Sequence, residues 1–279
     1  MLDVAVIGCG IVGANVAYLL SQHKLRAAVF EKENDVSMGT TRANSAIVHA
    51  GYDPEPGTAM ARLNVRGSAL TKEQCAAFDV KYRQIGSLVL AFSDEEMATV
   101  RRLYENGVAN GVPGVRVLTR EETLAMEPNL SDAVCGALYA PSAAIVEPWD
   151  LALALAEAAV ENGVELHLET AVTGAEKISG GWRLHTAKGD FEARAVVNAA
   201  GVEADLVAAM AGEPGFTTIP SRGEYYLLDK SQGYVVNHVV FQCPNRDGKG
   251  VLVSPTVHYN LIVGPNAEPS GREDVSTQA

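Results

Sequence analysis

The sequence predicts an α/β fold in which a βαβ-based layer is interleaved with a mostly antiparallel, β-rich one. Three observations predict it. The first fifty residues read as strand, glycine-rich turn, helix, strand and acid. Later segments, a helix over 148–160 and apolar strands over 164–168 and 195–201, suit a return to that first layer. The stretches 81–144 and 216–279 are instead rich in short runs of β-formers.

The opening unit carries the most chemistry. Val4 to Ile7 is an apolar strand, bounded by Gly8, Gly10 and Gly13. Gly8 permits the tight turn, Gly10 leaves the backbone bare for a pyrophosphate, and Gly13 lets the following helix pack closely on the sheet. That helix starts at Ile11, and its free N–H groups and dipole favour a phosphate. A second strand, 27–30, ends at Glu31, placed to accept hydrogen bonds from ribose hydroxyls. An acid there argues against a 2′-phosphate. The pattern is Rossmann-like and predicts dinucleotide binding. Cys9, inside the turn, is read as a small residue filling tight space.

The polar stretch 34–45, NDVSMGTTRANS, can wrap a ligand with backbone N–H groups and hydroxyls. It runs into Ala46, Ile47, Val48 and then His49. Residues 60–78 form a helix with Leu63, Leu70 and Phe78 as its apolar positions. A strand over 84–92 precedes a charged helix over 94–110. Ser93 with Glu96, and Thr119 with Glu122, have capping-box spacing. The helix over 148–160 closes at Asn162-Gly163. Residues 181–186 and 190–195 alternate as a hairpin turning at Lys188-Gly189. A short helix is expected over 204–210, and strands over 222–229, 234–241, 251–253 and 261–263. The polar stretch 268–279 is expected to be mobile or poorly packed.

The composition, 47% hydrophobic and 20% charged over 279 residues, is that of a soluble globular chain. Its net charge of −12 and the absence of a basic cluster disfavour nucleic acid and anionic membranes as partners. No stretch is apolar for long enough to span a bilayer, and the N-terminus lacks a signal-peptide pattern. Four scattered cysteines suggest no metal site and fit free thiols in the cytoplasm.

VIGCGIVG at 6–13, VFEKE at 29–33, GTTRANSAIVHAGYDPEPGT at 39–58, VVNAAG at 196–201 and RGEYYLLDK at 222–230 together resemble the D-amino-acid-oxidase superfamily of FAD-dependent oxidoreductases. They look closest to its glycerol-3-phosphate and 2-hydroxyglutarate dehydrogenase branch. The resemblance implies a Rossmann-like FAD-binding layer interleaved with a mostly antiparallel β-rich substrate domain. It divides the chain into FAD-binding parts at 1–80 and 145–215 and substrate-domain parts at 81–144 and 216–279, the last incomplete. It implies that Gly8, Gly10, Ile11 and Gly13 hold the pyrophosphate and that Glu31, with Lys32 beside it, meets the adenosine ribose. Thr40, Thr41, Arg42, Asn44 and Ser45 match the loop touching pyrophosphate and flavin. Val172 matches a backbone contact to adenine, and Ala200 and Gly201 the strand end beside the dinucleotide. His49 matches a residue near the isoalloxazine ring.

The implied activity is hydride transfer from a small anionic hydroxy substrate, glycerol 3-phosphate or a 2-hydroxy acid, to flavin N5. His49 is the candidate base, with a structural histidine as the other reading. Arg222 is the candidate clamp for a carboxylate or phosphate, with an ion pair as the other reading. Tyr225, Tyr226 and His258 are further candidates, and strand alternation puts the two tyrosines on opposite faces. The electron acceptor, a partner protein or a quinone among the choices, and the oligomeric state are left open. Family chains run longer and return to the flavin near N1 and O2. A fragment with weak FAD retention and little turnover is therefore the expectation. Amino-acid oxidation, a non-catalytic nucleotide-binding module and a nicotinamide-dependent dehydrogenase are the alternatives.

Overall fold

In the computed structural model, described here for residues 1–244 and 250–272, the chain forms β1 Leu2–Ile7, α1 Ile11–Ser21, β2 Ala27–Phe30, β3 Ile47–Val48 and α2 Ala59–Ala77. Next come β4 Tyr82–Arg83, β5 Ser87–Ala91, α3 Asp94–Ala109, β6 Arg116–Thr119, α4 Arg120–Met126, β7 Gly136–Ala140 and β8 Ala144–Val146. Then follow α5 Pro148–Glu161, β9 Glu165–His167, β10 Val172–Ile178, β11 Gly181–Thr186, β12 Gly189–Asn198 and α6 Ala204–Met210. The last elements used below are β13 Ser221–Arg222, β14 Tyr226–Leu228, β15 Val239–Gln242, β16 Leu252–Pro255 and β17 Leu261–Gly264.

The chain divides into two compact units. The first holds Met1–Asn44, Pro148–Ser221 and the described residues from Pro269 onward. Its six-stranded sheet has the order β10-β11-β12-β1-β2-β9. β12, β1, β2 and β9 run parallel, while β10, β11 and β12 form an antiparallel meander. The hairpin strand and the later apolar run are one strand: β12 pairs with β11 over 189–193 and with β1 as far as Asn198. Ala5, Ala28, Phe30, Leu184 and Ala193 make the core, and Phe30 stacks on His167 with ring centroids 5.0 Å apart. α1, whose buried residues are Gly13, Ala14 and Ala17, packs against the alanine-rich α5.

The second unit holds Ser45–Glu147 and Arg222–Glu268. The substrate-domain boundary expected near 80 thus compares with a unit that already begins at Ser45. Its seven-stranded sheet has the order β14-β17-β16-β15-β5-β7-β6, and only the β15–β5 pair is parallel among the described pairings. A smaller sheet has the order β3-β8-β4. Leu88 and Leu90 of β5 enter one core cluster and Val89 and Ala91 the other. Burial on both faces explains why β5 reads as an unbroken apolar run.

Four expectations change. Residues 234–238 are a turn and not strand, because Glu127 accepts the backbone N–H groups of Asn237 and His238 that a ladder would need. Leu63 and Leu70 face outward, 55% and 42% exposed. Thr119 and Glu122 close a full capping box on α4, whereas Glu96 takes the N–H of Phe92 and leaves Ser93 as a simple cap. The tail is tied down at Arg272, which donates to both carboxylate oxygens of Asp205. The rest of that tail, 273–279, lies outside the described residues.

Candidate functional site

The glycine turn joins β1 to α1. Gly8 has φ +95°, a backbone conformation that favours glycine, and a Cβ there would lie 2.6 Å from the Ala199 carbonyl oxygen. A Cβ on Gly13 would overlap the carbonyl oxygen of Gly8. Gly10 caps α1 without a side-chain bond. Its neighbour Ile11 donates its N–H to Thr41 Oγ1 at 3.0 Å. The hydroxyl of the loop therefore sits on the positive end of the helix, the place that suits an anion.

Thr40, Thr41 and Arg42 form one helical turn, and the Asn44 amide ties it by donating to the Thr40 and Thr41 carbonyls at 3.0 and 2.8 Å. Ser37 was absent from the sequence expectation. It is buried, has φ +63°, and donates its N–H to the Cys9 carbonyl. Its hydroxyl is buried with no hydrogen-bond partner among the described residues. Such a group costs about 1–3 kcal/mol when left unmet, so it is a ready contact for a bound ligand. Its only sequence signal is a serine inside the polar loop.

Glu31 is 8% exposed and accepts from the Cys9 N–H at 2.7 Å and the Glu33 N–H at 3.0 Å, one on each oxygen. Each oxygen keeps a lone pair for a further donor. Lys32 pairs with Glu203 at 2.8 Å, in the turn that follows Gly201. Burial, with the Glu31 and Asp35 charges, pushes the Cys9 thiol up to about 12, so it stays neutral beside an anion. Gly201 has φ +57°, and among the described residues no atom lies within 4 Å of an added Cβ. Ala200 donates its N–H to the Asn198 side-chain amide oxygen at 3.2 Å. Val172 is half-buried at a bulge where β10 meets β11.

The first unit thus gathers Gly8, Gly10, Ile11, Gly13, Glu31 and Thr41 around one helix end. Bare backbone where side chains cannot fit, a buried hydroxyl and a carboxylate with spare lone pairs suit a dinucleotide such as FAD.

In the second unit His49 is exposed after β3 and stacks on Phe241, centroids 5.8 Å apart. Ser45 and Tyr225 share a hydrogen bond of 2.6 Å. Tyr226 is 77% exposed, so the two tyrosines do face apart. The Arg222 side chain, 13% exposed, lies 3.5 Å from Glu268 and 3.8 Å from Glu224. A substrate anion would compete with both carboxylates for it. His258 bonds Glu147 at 2.9 Å, with Lys81 3.6 Å from the same carboxylate.

The family model for FAD dependent oxidoreductases, DAO, matches residues 3–279. The chain belongs to this family. It is 50% identical over 268 residues to a glycerol 3-phosphate dehydrogenase of Caloramator mitchellensis, covering 96% of this chain and 56% of that one. It is 32% identical over 273 residues to an L-2-hydroxyglutarate dehydrogenase of Escherichia coli, covering 96% and 64%. Among solved structures it is similar to a dithionite-reduced L-alpha-glycerophosphate oxidase of Mycoplasma pneumoniae with FAD bound, at a TM-score of 0.90 and 30% identity. That match covers 98% of this chain and 73% of the other. The chain thus spans a little over half the length of the first of these family members. Among the described residues no helix is long and apolar enough to cross a membrane.

Proposed function

We propose that the chain carries the FAD-holding and part of the substrate-binding machinery of an oxidoreductase for a small anionic hydroxy compound, glycerol 3-phosphate or a 2-hydroxy acid. The observation that carries this is the turn at Gly8 and Gly13, where added methyl groups meet backbone and so the chain must stay bare. The names of the two curated relatives supply the substrate class. Bound FAD would supply the hydride acceptor. Gly10, Ile11 and Gly13 would face the pyrophosphate with backbone N–H groups, while Gly8, whose N–H donates to the Phe30 carbonyl at 2.8 Å, would shape the turn that brings them there. Thr41 would give up its bond to Ile11 or share it. Glu31 would accept from the ribose, and Ser37 would gain a partner. His49 would take the hydroxyl proton of the substrate at an imidazole nitrogen. Arg222 would serve the anion only by exchanging Glu224 or Glu268 for it.

The test is absorbance of the purified chain, before and after FAD is added and the excess removed. Flavin bands are expected while FAD is in excess and only partly retained once it is removed; with FAD kept in excess, glycerol 3-phosphate or L-2-hydroxyglutarate should bleach them slowly under anaerobic conditions. His49→Ala should keep the bands and slow bleaching by roughly 10²- to 10⁴-fold. Full-speed bleaching in that variant would remove His49 from the chemistry. Failure to bind FAD at any concentration would remove the proposal for this chain. Bleaching by amino acids alone would favour the amino-acid oxidase alternative.

A further inference from the structure

Helix α2 carries its larger apolar side chains on the outside. Among its 19 residues only Ala61 and Cys75 are buried. Met60, Leu63 and Leu70 are 70%, 55% and 42% exposed. With 3.6 residues to a turn, Leu63, Leu70 and Ala77 recur along one line, flanked by Met60, Gly67 and Gln74. The inward face is small, with Ala61, Ser68 and Cys75. Among the described residues nothing lies within 4 Å of a Cβ built on Gly67, so a second backbone has room to approach there. Arg62, Arg66 and Glu73 run along one edge of the stripe, all exposed. Among the described residues none of the three has an ion-pair partner.

We propose that this stripe docks a second copy of the chain, two α2 helices packing antiparallel about a two-fold axis at Gly67. In such an isologous pair a residue some way before Gly67 meets one about as far after it. Leu63 then packs on Leu70 of the second copy, and Met60 lies over Gln74. Antiparallel packing sets each edge of a helix against the same edge of its mate. Arg62 therefore meets Glu73 of the second copy, and the pair forms twice. Arg66 of each copy lies beside the axis, where the two guanidiniums approach one another, and Glu73 of the second copy about one turn away offsets them. This charge complementarity selects a second copy over an anionic lipid surface, which the net charge of −12 and Glu73 would oppose. A single helix pair lies at the small end of specific interfaces, so the association is weak.

Sedimentation velocity of the full chain over a concentration series tests this, with circular dichroism confirming that each variant is folded. A monomer–dimer equilibrium is expected. Leu63→Glu should abolish it. Arg62→Glu or Glu73→Arg should each weaken it about threefold to tenfold, and the double exchange should restore it. Gly67→Cys, with exposed Cys135 changed to Ser, should cross-link two copies on oxidation. A monomer at every concentration overturns the proposal, as does a dimer indifferent to these changes. Flotation with phosphatidylglycerol vesicles that Leu63→Glu abolishes, in a chain that stays monomeric, would make lipid the occupant instead.

Discussion

Gly13 and Gly39 are both glycines near the nucleotide turn, and the structure separates them. A methyl on Gly13 meets the Gly8 carbonyl oxygen, while a Cβ on Gly39 meets nothing within 4 Å among the described residues. Gly13→Ala should cost roughly 2–3 kcal/mol, because backbone must move to admit it. Gly39→Ala should stay within about 0.5 kcal/mol. Urea denaturation of both variants checks this, and equal losses would mean that the turn is not packed as described. FAD titration of the same proteins should show weaker binding for Gly13→Ala. The spacing of Gly8, Gly10 and Gly13 made this turn legible in the sequence. Ser37 was not legible, because an unmet buried hydroxyl is a property of its surroundings, and serine in a polar loop is ordinary.

At the scale of elements, the buried carboxylate of Glu127 decides where β15 begins. Its side chain is 1% exposed and pairs with His238 at 2.6 Å while accepting both neighbouring backbone N–H groups. Removing it strands two backbone donors and a ring nitrogen. Glu127→Ala should therefore destabilise the second unit by about 3 kcal/mol or more. A loss under ~1 kcal/mol in urea denaturation would show that water satisfies those donors instead. The β-formers at 234–238 suggested strand, and nothing local announces that a carboxylate more than a hundred positions earlier takes their hydrogen bonds. Helix α2 shows the opposite case. Its period was legible, but the direction of its apolar side was not, since period fixes which residues share a face and not what that face meets.

At the scale of the whole chain, Arg272 anchors the end of the described structure to the first unit. It bonds Asp205 at 2.7 and 2.6 Å and donates to the Val202 and Thr218 carbonyls. The Arg272 hydrogen bonds, followed by the Thr218 N–H, hold the Asp205 carboxyl far below the usual carboxylate range. A lowered folded pKa gives stability that is complete above the unfolded value, ~3.9, and is lost as pH falls through the folded one. Asp205→Asn should therefore lower Tm at neutral pH, with the gap to wild type narrowing in strong acid. A gap that stayed constant with pH would mean that the charge of Asp205 contributes nothing.

The sequence by itself determined the family, the cofactor class and the order of most elements. Those rest on short-range facts: glycines at fixed spacing, an acid at the end of the second strand, and periodic apolar residues. Tertiary structure alone decided that β12 is one strand serving both the meander and β1. It alone brought the Thr41 hydroxyl to the N–H of Ile11, and Glu127 to the turn before β15. It also gave Arg222 two carboxylate neighbours, Glu224 and Glu268. Each of these joins groups distant in sequence or sets the surroundings of a side chain. Such contacts follow from how the chain closes on itself, and local pattern carries no record of them.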